Sequence, residues 1–445
     1  MDKLPKDFCE RMRTLLPQEY EDFIESYKRE VYRSLRLNPL KTDKAQFLMQ
    51  ERDFKLKEVE WEENGFYYDS KDSPGKDPYH EAGVYYIQEA SAMYPVNLLD
   101  VKEEDLKILD LCSAPGGKSS QIAGRMKGRG ILFANEIVPQ RAEILCENME
   151  RMGVENALIL NEDPEHLKEM FFDYFDRILI DAPCSGEGMF KKNESAIREW
   201  STENVEMCAK RQDAILDAAS AMLKPGGRLV YSTCTFSPME DEECVDRFLS
   251  RHSDYKLLSS DKLYPHKIKG EGQFAASFIR EEKDFYPYCV NKEEKSIKGR
   301  EIAPFIDFIK TVLKDGDDYI KKTEDRPFII NKDKLYLGPK GMPKLKGLRC
   351  IRPGLWLGSF KKGRFEPSHA LALSLRPEEV KNYVNLDLKK EGDLIRDYLK
   401  GLTFEYKGEK GFYLICVDGY SLGWGKLSGS IMKNHYPKGL RLTNI

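Results

Sequence analysis

Five short apolar runs, each followed by a helix-length stretch, constrain this chain more than any other feature. They are Lys107 to Cys112, Gly130 to Glu136, Ala157 to Asp163, Arg177 to Asp181 and Arg228 to Cys234. Continuous apolar runs of this length suit strands buried on both faces, and helix-length connections make such strands parallel. Residues 79–281 are therefore expected to form a Rossmann-like α/β domain, a parallel sheet with helices on both faces. Two further β-type stretches, Tyr255 to Leu258 and Gln273 to Ile279, are close enough in sequence to add an antiparallel edge.

The segments on either side read differently. Residues 1–78 are expected to be a small α+β unit. It has a helix from Phe8 to Lys28, a strand from Ser34 to Asn38 stopped by Pro39, and a second strand near Phe54 to Trp61. The turn cluster Ser70 to Pro78, with Pro74-Gly75, marks its expected end. Arg280 to Arg300 reads as a linker. Residues 301–370 and 371–445 read as small mixed or β-rich modules. At about 150 residues per domain, 445 residues leave room for about three.

Charge distribution says more about partners than the net charge of −4. Between Lys332 and Phe365 there are ten Lys/Arg and one acid, Asp333, interleaved with Tyr336, Trp356, Phe360 and Phe365. The stretch from Gly419 to Ile445 carries four Lys/Arg, one His and no acid. Either run alone could be a solvated face; two in one third of the chain favour a polyanion surface, with RNA the expected partner. The charged start MDKLPKDFCERMR lacks an apolar signal core and no stretch is long enough to span a membrane, so a cytoplasmic location is expected. Ten cysteines without a C-x-x-C pair suggest neither a disulfide framework nor a zinc site. The thiols are then core filler or chemistry.

All strands of a parallel sheet point their carboxyl ends to one edge, where Cys112 to Lys118, Glu136, Asp163, Asp181 and Cys234 should converge. The first strand runs into Cys112-Ser113-Ala114-Pro115-Gly116-Gly117-Lys118 and then a helix, a layout in which a nucleotide-like ligand meets open backbone. A phosphate-loop motif would need glycine at position 112, and G-x-G-x-x-G is absent, so neither fingerprint applies. Glu136, at the end of the second run, stands where a carboxylate takes ribose hydroxyls.

The fourth strand ends in Asp181-Ala-Pro-Cys184-Ser-Gly-Glu-Gly188, with a thiol where enzymes that methylate exocyclic amines carry an aromatic residue. Carbon 5 of cytosine is a poor nucleophile. A thiolate must first add at carbon 6, and a neighbouring group such as Asp181 must hydrogen-bond the ring nitrogen. A second thiol, Cys234, follows the fifth strand. Ser237-Pro-Met-Glu240 reads as a capping box that would start a helix within three residues of that sulfur and favour its thiolate. Backbone N–H groups in the glycine-rich loop could equally activate Cys184. Cys146, Cys208 and Cys244, in helical stretches, are expected to be inert.

The segments LDLCSAPGGKSSQIA, DAPCSGEGMF and YSTCTFSPMEDEE closely resemble the RNA cytosine-5 methyltransferases of the Sun and Nop type. SLRLNPLK, GVYYIQEASAMYP, YPHKIKGEGQF and VDGYSLGWGKLSGSIMKNHYPKGLR look like the bacterial RsmF branch, which modifies small-subunit ribosomal RNA. The resemblance implies S-adenosyl-L-methionine as cofactor, held by Cys112 to Lys118, Glu136, Asp163 and Asp181. It implies Cys234 as nucleophile, Cys184 as the thiol aiding release, a C-terminal PUA-like RNA-binding module and a monomer acting on 16S ribosomal RNA. Competing readings are a tRNA or DNA cytosine-5 methyltransferase, the latter expected to carry a long insert in the sheet, and a non-catalytic ribosome-assembly factor.

Overall fold

A computed structural model of the chain describes residues 4–50, 55–104, 107–282 and 292–442. The N-terminal unit holds helices Lys6–Leu15 and Tyr20–Ser26 and strands β1 (Arg33–Leu37), β2 (Lys57–Val59), β3 (Glu62–Tyr68) and β4 (Tyr85–Ile87). The strands pair antiparallel in the order β2-β3-β1-β4. One helix was expected across Phe8 to Lys28; it breaks at Leu16, which adopts φ −125° and ψ 55° before Pro17. Proline disfavours helical backbone in the residue it follows, and that explains the break. Phe54 lies outside the described residues, and the expected second strand is β2 followed, after a turn, by β3. Pro74–Lys76 is a short turn inside the unit, because β4 pairs back onto β1, Leu35 opposite Ile87. The sheet therefore continues past residue 78.

The central sheet contains β5 (Lys107–Asp110), β6 (Ile131–Asn135), β7 (Ala157–Leu160), β8 (Phe175–Asp181), β9 (Leu223–Thr233), β10 (Tyr255–Leu263) and β11 (Gln273–Arg280). Its parallel part runs β9-β8-β5-β6-β7, with β11 and β10 antiparallel beyond β9. Leu109, Phe133, Ile159, Leu179 and Val230 are wholly buried although they point to both faces, which is why the runs show no polar alternation.

The C-terminal region adds β12 (Phe328–Asn331), β13 (Lys334–Leu337), β14 (Cys350–Pro353), β15 (Leu355–Lys361) and β16 (Arg364–Pro367). Four of these form the sheet β12-β13-β15-β16. The fifth, β14, pairs antiparallel with β7 and becomes the eighth strand of the central sheet, Cys350 opposite Leu160. Part of the basic run is thus internal mortar. Arg352 is buried and donates through Nη2 to the Val154 carbonyl at 2.6 Å, and Arg349 donates to Asn161 Oδ1 at 2.9 Å. Tyr336 and Phe365, expected as surface aromatics, are also buried.

The last sheet, ordered β17-β19-β20-β21-β18, comprises β17 (Tyr383–Leu386), β18 (Phe404–Glu405), β19 (Gly411–Val417), β20 (Tyr420–Ser428) and β21 (Ile431–Asn434). It shares one apolar core with the N-terminal unit, where Leu35, Phe66 and Tyr85 cluster with Leu386, Val417 and Leu422. Tyr79 donates to Asp418 at 2.6 Å, and the Thr42 and Tyr420 hydroxyls meet at 2.9 Å, so both ends of the chain close on each other. Among the described residues no helix is long and apolar enough to cross a membrane.

Candidate active site

Strand β5 has β8 on one side and β6 on the other, so the winding direction reverses between β5 and β8. A parallel sheet opens a crevice outside the carboxyl ends of its strands at such a point. The Cys112 to Lys118 turn leaves β5 there. Gly116 takes φ +111°, a backbone region in which side-chain-bearing residues are strained, and helix Gly117–Met126 starts at the next residue.

The N-terminal sheet grips this helix. Buried Arg36 on β1 donates to Gln88 Oε1 at 2.8 Å, the Gly117 carbonyl at 3.0 Å and Ser120 Oγ at 2.8 Å. Gln121 and Arg125 reach Glu62 Oε2 on β3 at 2.6 and 2.9 Å. These contacts account for the buried polar face of the helix.

Lys118 and Asp181 span the crevice, Nζ to Oδ2 at 2.8 Å. Asp181 Oδ1 accepts from Ser232 Oγ at 2.8 Å and Gln273 Nε2 at 3.3 Å. Glu136 is buried at the end of β6, accepts from Val138 N at 2.9 Å and lies 3.4 Å from the Arg141 guanidinium. Exposed Ile137 and Val138 sit beside it. Asp163 does not end a strand: β7 stops at Leu160, and Asp163 is an exposed helix cap accepting from Glu165 N at 2.8 Å. Asp110 ends β5. It is wholly buried, accepts from Ser119 Oγ at 2.6 Å, and burial pushes its carboxyl up to about 7.

The two thiols come together. Cys184 Sγ, in the loop after β8, is 3.4 Å from Cys234 Sγ, one residue beyond β9. Cys234 is half-buried between buried Thr233 and Thr235. Contact with Cys234 first, and burial second, hold the Cys184 thiol well above its ordinary range. Cys184 is therefore held as a neutral thiol at neutral pH. Burial pushes Cys146 and Cys244 up to about 12 and Cys208 to about 11, in keeping with inert thiols.

The expected capping box is absent. The next helix begins at Glu242, and its cap, Asp241, makes no side-chain cap bond. Glu240 turns instead to the other thiol's loop, accepting from Ser185 N at 2.9 Å, Ser185 Oγ at 2.5 Å and Gln212 Nε2 at 2.9 Å. The exchange is reciprocal. Glu187, on the Cys184 loop, accepts from Phe236 N at 3.0 Å, two residues after Cys234. It also takes Trp200 Nε1 at 2.9 Å and Arg11 Nη2, from the first helix, at 2.5 Å. Gly188 N donates to the Cys234 carbonyl at 2.8 Å.

Ser185 and Gly188 N–H groups are thus committed to clasping the two loops and do not activate Cys184. Both carboxylates are completely buried. Sequence reasoning passed over Glu187, Gln212 and Arg11, and took Glu240 for part of a capping box. The only available signal was that both acids fall inside the thiol motifs, a few positions after Cys184 and Cys234 respectively.

A parallel sheet with this switch point and glycine turn, between two flanking units, places the chain among the doubly wound cofactor-binding domains. Four family models match in succession. They are the N-terminal domain of 16S rRNA methyltransferase RsmF over residues 4–90, 16S rRNA methyltransferase RsmB/F over 96–293, the RsmF first C-terminal domain over 307–375 and the RsmF PUA domain over 385–442. Ribosomal RNA small subunit methyltransferase F from Vibrio vulnificus (strain YJ016) is 33% identical over 470 aligned residues, covering 98% of this chain and 97% of its own. The protein of that name from Aeromonas salmonicida is 32% identical with the same coverage. The chain belongs to the RsmF family of 16S rRNA methyltransferases.

Among solved structures, a methyltransferase homolog from Pyrococcus horikoshii aligns with TM-score 0.56 and 29% identity over 62% of this chain and 95% of its own. NSun6 from the same organism, solved with SFG, aligns with TM-score 0.57 and 22% identity over 63% and 99%, which speaks for the fold alone.

Proposed function

We propose that this protein transfers a methyl group from S-adenosyl-L-methionine to carbon 5 of cytosine in small-subunit ribosomal RNA, with Cys234 as nucleophile and Cys184 as the thiol that aids release. The pair of sulfurs at 3.4 Å beside the Lys118–Asp181 bridge carries this reading. The names and full-length coverage of the curated relatives support the substrate class.

The crevice residues fit the cofactor. Its amino-acid end needs carboxylates and open backbone, offered by Asp181 and the Cys112 to Lys118 turn. Its ribose needs an acid such as Glu136 at the end of β6, and its adenine needs the exposed apolar edge of Ile137 and Val138. Asp163, the exposed cap of the helix after β7, is the further acid of the proposed cofactor set. Bound there, S-adenosylmethionine supplies an electrophilic methyl group.

The chain's own groups do the rest. Asp181 positions the base by accepting from the amino group beside its ring nitrogen while Lys118 keeps the carboxylate in place. The Cys234 sulfur bonds to carbon 6 and pushes electron density onto carbon 5, where the methyl group is received. A base takes the carbon 5 proton as the sulfur–carbon 6 bond breaks and the aromatic ring is restored, and the Cys184 thiol gives its proton to the departing Cys234 sulfur and regains one from solvent. The target base must leave its stack to reach this sulfur, so an unpaired or flipped cytosine is the substrate.

The test is transfer of labelled methyl from S-adenosylmethionine to small-subunit ribosomal RNA, followed by digestion to nucleosides. The reading requires label in 5-methylcytosine. Label in another nucleoside, or none, overturns it.

A further inference from the structure

An open groove of about 500 Å³ lies between the N-terminal sheet and the chain that follows the Cys184 loop. Tyr32, Arg33, Tyr68 and Ile87 line one wall, and Lys191 and Lys192 the other. Arg33 and Lys192 are exposed, and the Lys191 ammonium lies 5.9 Å from the Tyr32 ring centre. Lys269, also exposed, stands 6.0 Å from the Tyr67 ring. Two of these cations, Lys191 and Lys269, therefore lie over neighbouring aromatic rings, and Arg33 and Lys192 line the same groove as Lys191. The acid on the lining, Glu89, is spoken for: it accepts from Ala92 N at 2.9 Å, Glu271 N at 2.9 Å and the Ser91 hydroxyl.

One buried group beside this groove is unexplained by the fold. Glu271 has a side chain only 4% exposed, and neither carboxylate oxygen has a hydrogen-bond partner. Its nearest cation is Lys192 of the groove wall, at 3.7 Å, too long for a hydrogen bond. A buried carboxylate without donors is costly and calls for a donor from elsewhere. Glu271 is also close to the chemistry. A Cβ added at Gly188 would stand 3.0 Å from the Cys234 carbonyl oxygen and 3.1 Å from that of Glu271. The backbones of the nucleophile and of Glu271 therefore both pack against one glycine.

We infer that this groove seats the single-stranded RNA flanking the target cytosine, with Glu271 accepting an N–H or O–H from the nucleotide next to it. Arg33, Lys191 and Lys192 would neutralise phosphates and Tyr32 would stack a base, the combination by which proteins hold unpaired strands. Glu271 adds what a purely electrostatic track lacks, an acceptor that only an amino or hydroxyl donor satisfies. The inference rests on the reading of this chain as an RNA methyltransferase.

The experiment measures binding of a fluorescein-labelled single-stranded RNA 15-mer to the full chain saturated with S-adenosylhomocysteine. Arg33→Glu with Lys192→Glu is expected to raise the RNA Kd at least tenfold. The same double change should flatten the dependence of log Kd on log salt by about 1.4, at about 0.7 per phosphate contact. Tyr32→Ala is expected to weaken binding about tenfold, and S-adenosylhomocysteine affinity, the check on folding, should stay within twofold in every variant. Glu271→Gln, of nearly identical shape, should raise KM for ribosomal RNA several-fold and change which neighbouring nucleotide is preferred.

Unchanged RNA affinity and salt slope in both the charge-reversal and Tyr32 variants would overturn the inference. If the variants bind normally while the wild type methylates RNA, the groove is wrong and the activity stands. If the wild type methylates no RNA but the variants lose RNA binding, the groove stands and the activity reading fails.

Discussion

Replacing Glu240 by Gln tests whether the reciprocal carboxylates hold the two thiol loops together. Three donors converge on Glu240: Ser185 N, Ser185 Oγ and Gln212 Nε2. A carboxylate satisfies all three; an amide offers one acceptor oxygen, and its NH₂ faces at least one of these donors. Ser185 N and Gln212 Nε2 both meet Oε2 and can keep an amide oxygen there. The NH₂ then faces Ser185 Oγ, which turns onto Thr235 Oγ1, 2.8 Å away, and one buried N–H of the new amide stays unpaired. Such a loss costs about 1–3 kcal/mol. Burial raises the Glu240 carboxyl above its ordinary range, so removing the charge returns part of that cost. The net expectation, at the lower end of that range, is a stability loss of about 1–2 kcal/mol by urea unfolding.

Activity should suffer more, because the Cys184 loop loses its tie. We expect kcat to fall at least tenfold with S-adenosylhomocysteine affinity unchanged. Glu187→Gln should act the same way from the other side. Because both bonds clamp the same two loops, the double variant should lose less stability than the sum of the singles, by about 1 kcal/mol. A Glu240→Gln enzyme with wild-type kcat and stability, or strict additivity in the pair, would refute the clasp.

Other outcomes follow from the same geometry. Asp110 has a folded pKa of about 7 against an unfolded value of about 3.8, so the folded chain binds more protons across that interval and stability falls as pH rises through it. From pH 5 to 8 the wild type should lose about 2–3 kcal/mol relative to Asp110→Asn in urea unfolding; parallel pH profiles would contradict this. Mild oxidation should join Cys184 to Cys234, given sulfurs 3.4 Å apart, and abolish activity until dithiothreitol is added. Peptide mapping that finds both thiols free in the inactivated enzyme would rule that out. Ending the chain at residue 300 removes β14 and the core shared by the first and last units, so the fragment should aggregate rather than merely bind RNA less well. A monomeric fragment with intact cofactor affinity would show that the C-terminal region is dispensable for folding.

The sequence carried the central sheet because burial on both faces leaves an unmistakable mark: continuous apolar runs with helix-length spacing. It carried the glycine turn and both cysteines because each lies at the end of such a run or within three residues of it. What it hid depends on long-range pairing. Nothing in Cys350-Ile-Arg-Pro353 announces that this segment completes a sheet whose first strand starts at Lys107, since a strand's partner is set by tertiary packing. Glu240 met the local rule for a capping box, yet the pull of a buried Ser185 N–H prevailed over a helix start that solvent could satisfy equally well. Asp163 shows the opposite failure. It follows an apolar run, but Asn161 and Glu162 intervene and leave it as a cap before Pro164.

The most direct test of the account compares Cys184→Ala and Cys234→Ala after incubation with S-adenosylmethionine and small-subunit ribosomal RNA, by denaturing gel electrophoresis. If Cys234 bonds to carbon 6 and Cys184 aids release, Cys184→Ala accumulates a denaturation-resistant protein–RNA adduct and Cys234→Ala forms none. An adduct in Cys234→Ala and none in Cys184→Ala would reverse the roles and contradict the account.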